Sequence, residues 1–262
     1  MKRSLLLLSL ISFTSAAFAQ GGFEFGLGYT YTAPIGTMKQ NISRGNGIAL
    51  DFYVIPEKIN RLAIGMDLNY TIYGQDKSRQ EYTFSDGTVA PMDIIVNNAF
   101  TNLLVASRYY VLPPEGRIIK PYVTLKGGYS WFRTSLNIYD PDDTDHCEPV
   151  DKDMLLKDGT FSVSGGAGFH WDMNSIFKKI NSNTFLFNVG ANVTLGGKVN
   201  YMNTDADHHH QPNPATDVNA RFVNNQTQIV HEHHVGYLYN SFVEMVEIRA
   251  GLVFRFQSIF PY

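Results

Sequence analysis

The chain has 262 residues, of which 44% are hydrophobic, 13% aromatic and 17% charged, with a formal net charge of −3. The aromatic content and the low charge exclude a disordered chain, and the single cysteine, Cys147, excludes an intramolecular disulfide framework. No long apolar run follows the N-terminal segment, so the sequence predicts no membrane-spanning helix. The mild acidity, without a basic stripe, argues against a nucleic acid partner.

The first residues have the pattern of an export signal. Lys2 and Arg3 precede an apolar stretch over residues 5–13, which is too short to cross a bilayer as a helix. Small residues at both ends of the Ala17–Ala19 motif occupy the positions that a signal peptidase reads. We therefore expect a signal peptide over residues 1–19.

From residue 20 to residue 262 the chain alternates between apolar and small or polar side chains. Phe23, Phe25 and Leu27, for example, alternate with Glu24 and Gly26. Because successive side chains of a strand point to opposite faces, this period of two predicts strands with one apolar face. The segments with the pattern are 23–31, 48–54, 62–72, 102–111, 123–131, 161–171, 185–195 and 246–256. Eight strands of about ten residues each suit a membrane barrel.

The predicted connections differ in length. Those over residues 74–96, 140–158 and 200–240 are long, whereas those over 56–60 and 113–116 are short. Membrane barrels have long extracellular loops at one end and short periplasmic turns at the other. The sequence thus favours such a barrel over a soluble sandwich.

Two of the long connections have an alternative interpretation. The stretch 74–96 is also consistent with an extended hairpin. Residues 221–230 could pair as a further membrane hairpin, which would give ten strands. Their mixed faces, with Asn224 and Gln226, instead favour an extension above the membrane.

The polar face of the predicted strands carries charges of both signs. In a soluble barrel the apolar face fills the interior, whereas in a membrane barrel it faces lipid and the polar face points inward. The inward arrangement suits the many glycines on that face, because an eight-stranded interior is narrow. The predicted lumen charge network comprises Glu24, Asp51, Asp67, Arg108, Lys126, Glu247, Arg249 and Arg255. We expect these charges to pair and plug the lumen; a narrow water path and a secreted soluble barrel are the alternatives.

Two segments resemble a known group of membrane barrels. Residues 26–36 (GLGYTYTAPIG) and 120–130 (KPYVTLKGGYS) are similar to the "outer membrane protein beta-barrel domain" group, which is common in Bacteroidetes and resembles the eight-stranded OmpA and OmpX barrels. The resemblance implies an all-β, eight-stranded antiparallel up-and-down transmembrane β-barrel with short periplasmic turns and long extracellular loops. It implies a location in the Gram-negative cell outer membrane and carries no catalytic residues.

The resemblance also implies partners. An outer membrane barrel contacts outer-membrane lipid and lipopolysaccharide, and it meets the barrel assembly machinery during insertion. The aromatic C-terminal segment, from Phe254 to Tyr262, is similar to the segment that this machinery recognises, although Pro261 interrupts the strand pattern. The expected role is structural, or interaction with an unknown extracellular ligand through the long loops.

Two histidine clusters lie in the predicted connection over residues 205–234. Imidazoles near carboxylates are good ligands for zinc, copper or nickel. The candidate metal ligands are His208, His209, His210, His231, His233 and His234. A solvated surface loop is the alternative interpretation. If metal does bind, the protein would be a metal-binding surface protein, and a small low-conductance pore is the other alternative function.

A catalytic site is not indicated by the sequence. His170 lies on the polar face beside Asp172, but neither Ser162 nor Ser164 on the same strand is placed as a nucleophile next to it. We therefore expect no enzyme activity and no cofactor.

Overall fold

The structure is a computed structural model, and it describes residues 21–83, 88–114, 116–141, 149–173, 184–204, 216–223 and 230–256. Within these residues nine β-strands form one antiparallel sheet, and no helix is long and apolar enough to cross a bilayer. The strands are β1 (Gly21–Pro34), β2 (Gly45–Pro56), β3 (Leu62–Thr83), β4 (Val89–Tyr110), β5 (Ile119–Tyr139), β6 (Asp151–Asp172), β7 (Thr184–Asn203), β8 (Thr216–Val223) and β9 (Val230–Phe256).

Eight of these strands close into a barrel. Strands β1 to β7 pair in chain order, and β9 pairs with β7 on one edge and with β1 on the other. The closing ladder runs from Phe23, opposite Phe256, to Pro34, opposite Met245. Among the described strands β8 stands outside this ring, because it pairs with the start of β9 alone. The predicted eight-stranded up-and-down barrel is confirmed.

The two faces of the barrel wall differ in polarity. On the outer face, Val105, Leu125 and Phe161 leave 63%, 67% and 76% of their surface exposed. Their strand neighbours Lys126 and Ser162 are buried. We call this belt of exposed apolar side chains on the outer face the apolar band. An exterior of this kind is stable in hydrocarbon and costly in water, and the assignment of the charged face to the interior is confirmed.

The two ends of the barrel differ in how far the strands extend. At one end, which we call the short-turn end, a single 3-10 turn over Glu57–Ile59 joins β2 to β3. At the opposite end, which we call the extended end, β1 and β2 stop while their neighbours continue beyond the apolar band. The β3–β4 ladder, for instance, continues to Thr83, opposite Val89.

Strands continue into the three long connections predicted over residues 74–96, 140–158 and 200–240, and in the first they form the extended hairpin given as its alternative. Strands β3 and β4 cover nearly all of the first, and the β5–β6 ladder reaches Asp151 in the second. In the third, β8 forms an extension beside β9 that is separate from the closed ring, as the mixed faces of this segment predict, so the alternative of a ten-stranded barrel is wrong for the described residues. The sequence pattern ended early because the outer face turns polar beyond the apolar band, for example at Gln75 and Lys77.

Irregular pairing marks the boundary between the apolar band and the extended end. Register shifts occur in β3 between Ile72 and Gly74 and in β7 between Leu195 and Lys198. A bulge adds a residue to one strand and bends it. In β3 the extra residue is Tyr73, which is 5% exposed and lies inside the barrel.

Candidate functional site in the barrel lumen

All eight charged residues predicted to point inward are buried inside the barrel. Each leaves at most 9% of its surface exposed. They come from six strands, and the alternation of each strand places them on the inner face. Four carboxylates and four cations make the set neutral overall, so the interior holds charge without a net excess of either sign.

One half of the charge network is centred on Glu24. Its Oε2 atom accepts a hydrogen bond from Arg108 Nη1 at 2.7 Å, and its Oε1 atom accepts from Arg255 Nε at 2.7 Å. The hydroxyl of Tyr110 also donates to Glu24 Oε1, at 2.9 Å. Arg108 Nη2 reaches Asp51 Oδ1 at 2.9 Å, which joins β1, β2 and β4 across the lumen.

The other half is centred on Asp67. Arg249 binds it with two nitrogens, at 2.7 and 3.0 Å, and Lys126 Nζ donates to Asp67 Oδ2 at 2.9 Å. Arg249 also contacts Glu247 Oε1 at 3.0 Å. A longer contact of 3.7 Å, from Arg249 Nη1 to Asp51 Oδ2, links this half to the first. The network is thus continuous across the lumen.

Aromatic rings surround the arginines of the network. The Arg108 guanidinium lies 4.0 Å from the ring centre of Tyr53 and 4.8 Å from that of Tyr122. The Arg255 guanidinium lies 5.2 Å from the ring centre of Tyr110. No role was predicted for these tyrosines from the sequence, although each lies two or four residues from a charged residue on its own strand and so on the same inner face. Cation–π contacts of this kind stabilise a desolvated guanidinium.

A further ion pair lies nearer the short-turn end. Lys120 Nζ contacts Asp172 Oδ2 at 2.8 Å, and Lys120 is buried. Lys120 is absent from the predicted charge network. Its inward position could have been predicted, because Lys120 lies an even number of residues from Lys126 in β5 and therefore on the same face. The pair adds a cross-link between β5 and β6.

The interior is apolar towards the extended end. We call this group the mouth cluster; its members are Met38, Ile42, Tyr73, Phe100, Phe132, Val199, Tyr201, Tyr239, Val243 and Met245. The sequence analysis placed apolar side chains on the exterior, so this cluster corrects that expectation for the extended end. Beyond the apolar band the outer face is polar, for example at Gln75 and Lys77, and the apolar side chains pack in the interior instead.

The connection between β1 and β2 folds into the barrel mouth. A 3-10 turn over Met38–Gln40 places Met38 in the mouth cluster with no exposed surface. Asn41 Nδ2 donates to the Tyr201 hydroxyl at 2.7 Å, and Asn203 Nδ2 donates to the Asn41 carbonyl at 2.7 Å. The connection is therefore held on β7 as a plug.

Little space is left where the plug meets the polar interior. A pocket there is lined in part by Thr32, Thr71, Ile42 and Phe100, and its volume is about 10 Å³. A cavity of this size holds about one water molecule. It is too small to be a ligand site.

The structure does not bring His170 together with the serines on its strand. His170 Nδ1 lies 3.1 Å from the Tyr110 hydroxyl. Ser162 accepts a hydrogen bond from Ser130 at 2.7 Å, and Ser164 accepts one from Thr194 at 3.0 Å. A serine nucleophile with a histidine base is therefore not formed by these residues.

The histidine clusters lie largely outside the described residues. His208, His209 and His210 belong to the part of the chain that is not described. His231, His233 and His234 lie on the described backbone of β9, opposite β8, but their side chains are outside the description. Among the described residues no group of three or more His, Cys, Asp or Glu is arranged to hold a metal ion. Metal binding by these histidines stays a prediction.

Comparisons with known proteins found similar solved structures alone. No family model matches the chain, and no curated protein matches it. Neisserial surface protein A has 10% identity and a TM-score of 0.40, over 91% of this chain and 99% of that chain. The outer membrane protein OprG from Pseudomonas aeruginosa has 12% identity and a TM-score of 0.40, over 91% and 97%.

The outer membrane protease OmpT from Escherichia coli has 8% identity and a TM-score of 0.29, over 92% of this chain and 97% of that chain. Similarity at this level carries no argument about role, and the Bacteroidetes group suggested by the sequence stays a prediction. The fold assignment rests on the strand pairing of the chain itself, which is a closed eight-stranded antiparallel barrel in the described residues.

Proposed function

We propose that this protein is a non-enzymatic barrel of the cell outer membrane with a closed lumen, which acts through its extended end at the cell surface. The observation that carries the proposal is the distribution of polarity across the wall. Apolar side chains cover the exterior, while the interior holds eight buried charges in mutual contact. This distribution suits hydrocarbon outside and a packed polar lumen inside.

The lumen is closed by two barriers in series. The charge network spans it through Glu24, Arg108, Asp51, Arg249 and Asp67. The mouth cluster closes it again towards the extended end, with the 35–44 connection inserted. An ion would have to displace both, so the low-conductance pore is the weaker of the two functions.

The extended end supports a role in surface interaction. Its inner face is packed by a second apolar group, composed of Met92, Ile94, Val96, Leu136 and Ile138. Packing of this kind makes the strands beyond the apolar band a stiff support for the connections at their tips. Binding surfaces are often built in this way, from loops held on a rigid scaffold. The ligand is unidentified.

Two measurements test the proposal on the purified full-length protein. Heat-modifiable gel migration in detergent reports whether a closed barrel forms, and we expect the unheated protein to migrate faster than the heated one. Planar-bilayer recording then tests the closed lumen, and we expect no steady single channels. Steady channels from the wild-type protein would contradict the closed lumen and favour the pore.

A further inference from the structure

We infer that the outer face carries a binding site for the phosphate groups of an outer-leaflet glycolipid. The site consists of Arg133, Lys157 and Lys198, which we call the outer basic patch. The inference rests on the proposed function, because it needs the apolar band to lie in the outer membrane. It adds to that function the chemistry of one lipid partner and the residues that bind it.

The three cations lie together on the outside of the wall. Arg133 of β5 lies directly opposite Lys157 of β6 in the ladder. Both neighbours of Arg133 along β5 are buried, so Arg133 itself points outward. Lys198 of β7 is exposed, and its Nζ lies 5.5 Å from the centre of the exposed Phe242 ring.

Strands β6 and β7 stay in contact beside these cations, although their regular pairing stops. The β6–β7 ladder ends with Ser162, opposite Gly196. Beyond it Asp158 of β6 bridges to Asn200 of β7, accepting hydrogen bonds from the Asn200 backbone and side-chain nitrogens at 2.8 and 2.7 Å. Lys157 and Lys198 therefore lie on neighbouring strands, each within two residues of this bridge.

The patch has an unbalanced positive charge. Cβ atoms of directly opposite residues in an antiparallel ladder are about 5 Å apart, and like charges in that position are destabilising. Within the described residues no ion pair joins Arg133, Lys157 or Lys198 to a carboxylate. The adjacent Asp158 carboxylate, which accepts hydrogen bonds from Gly159 N and Asn200, offsets one of the three positive charges and leaves two in excess. A bound anion would relieve this repulsion.

The position of the outer basic patch indicates that the anion is the phosphate of a lipid. On the same outer face, one step towards the apolar band, lie three aromatic rings: Tyr129 and Trp131 have ring centres 5.0 Å apart, and Tyr129 and Phe161 5.3 Å apart. Gly159 leaves room for this cluster, because a Cβ atom there would lie 2.5 Å from Tyr129 Cε1. Aromatic rings of this kind mark the membrane interface, so cations just beyond them meet lipid phosphates.

The test uses the purified full-length protein in phosphatidylcholine vesicles that contain either lipid A with its phosphates or dephosphorylated lipid A. Native mass spectrometry of the released protein measures the affinity for each. We expect phosphorylated lipid A to be retained preferentially. Each cation near an anionic lipid contributes about fivefold, so R133Q/K157Q should lower the affinity about twenty-five-fold and K198Q about fivefold.

A matched control removes the same charge elsewhere. Lys77 and Arg79 also lie at the extended end, but both contact Asp93, at 3.0 and 2.7 Å. The K77Q/R79Q variant should therefore retain lipid A as the wild type does. An excess of inorganic phosphate should not displace lipid A, because the aromatic rings hold the lipid and not the free ion.

Several outcomes would overturn the inference. Equal loss in R133Q/K157Q and K77Q/R79Q would show a general charge effect, and equal retention of dephosphorylated lipid A would show that phosphate is not recognised. Displacement by inorganic phosphate would assign the patch to a free anion. If the wild type forms a barrel but shows no lipid A preference, the inference fails and the proposed function stands. Absence of a closed barrel would overturn both.

Discussion

The half of the barrel interior towards the short-turn end and the half towards the extended end differ in polarity. Towards the short-turn end the interior is a network of buried charges, in which Glu24 and Asp67 each receive two cations. Towards the extended end the interior is the apolar mouth cluster, with Phe132 at its centre, in contact with Tyr73, Phe100 and Tyr201. Strands β3, β4, β5 and β9 contribute side chains to both halves, whereas β1 and β2 contribute to the charge network alone.

The proposed membrane location accounts for the difference, because it gives the two halves different surroundings. Where the outside meets hydrocarbon, polar side chains have no place except the interior, and they must be paired there. Where the outside meets water, the interior is the place for apolar side chains. The polarity of the strands that continue past the apolar band therefore inverts along their length, and the bulges after Ile72 in β3 and Leu195 in β7 lie at the inversion.

The largest effect expected from this comparison is the loss of one cation from the charge network. Replacing Arg108 with Met removes the hydrogen bonds to Glu24 and Asp51 and leaves both carboxylates short of a partner. Breaking a buried pair in this way should lower the free energy of unfolding by about 4 kcal/mol. Urea unfolding in lipid vesicles measures it.

The matched control for that variant is Arg44→Met, which removes an exposed arginine from the connection between β1 and β2. It should change stability by less than about 0.5 kcal/mol. Equal effects in the two variants would mean that the buried network contributes nothing beyond net charge.

The mouth cluster should respond to loss of volume instead of loss of charge. Phe132 has no exposed surface, so Phe132→Ala should lower the free energy of unfolding by about 3 kcal/mol through lost burial and a cavity. The same urea assay applies, and Ile59→Ala at the exposed short-turn connection is the control. A Phe132→Ala variant as stable as the control would show that the mouth cluster is not packed.

The plug can be tested without unfolding the barrel. Met38→Glu would bury a carboxylate in the apolar mouth cluster, so the 35–44 connection should open more often. Trypsin cleavage after Lys39 or Arg44 should become about tenfold faster, because cleavage follows the population of the open form. Bilayer conductance should stay absent, since the charge network still closes the lumen. Steady channels in this variant would mean that the 35–44 connection alone blocks ion passage and that the charge network does not.

How far the sequence predicts this molecule depends on which half is considered. Within the apolar band the period of two identified all eight strands, their faces and eight inward charges, such as Arg249, but not Lys120. Beyond the band the outer face turns polar, so a search for apolar alternation ended β3 near Ile72 and left its continuation to Thr83 as an alternative, the extended hairpin over 74–96. The same alternation would have predicted that Tyr53, Tyr110 and Tyr122 point inward. The position of Met38 in the mouth cluster could not be predicted in this way, because it depends on contacts with residues far away in the sequence, such as Tyr201.

The smallest expected effect concerns pH at the extended end. Hydrogen bonds from Arg79 and Lys77 lower the pKa of Asp93 to about 2, from an ordinary value of 3.8. A lowered pKa in the folded state means that this contribution to stability is complete above about pH 4 and is lost as the pH falls towards 2. Pepsin cleavage of the β3–β4 extension should accelerate over that range.

Asp93→Asn is the comparison for the pH effect, because it cannot ionise. The ratio of cleavage rates, Asp93→Asn over wild type, should exceed one at pH 4 and approach one as the pH falls to 2. A ratio that does not change with pH would show that the contacts of Asp93 with Lys77 and Arg79 do not stabilise the extension.

The central claim, that the apolar face meets lipid, is tested most directly by the native tryptophan fluorescence. The chain has two tryptophans, Trp131 and Trp171, and both lie on the outer face, one towards each end of the apolar band. In vesicles of chain-brominated phosphatidylcholine we expect strong quenching of the fluorescence of both tryptophans and little quenching by aqueous acrylamide. The Trp131→Phe and Trp171→Phe variants each leave one tryptophan, so they report the two positions separately. Efficient acrylamide quenching without an effect of brominated lipid would contradict the account.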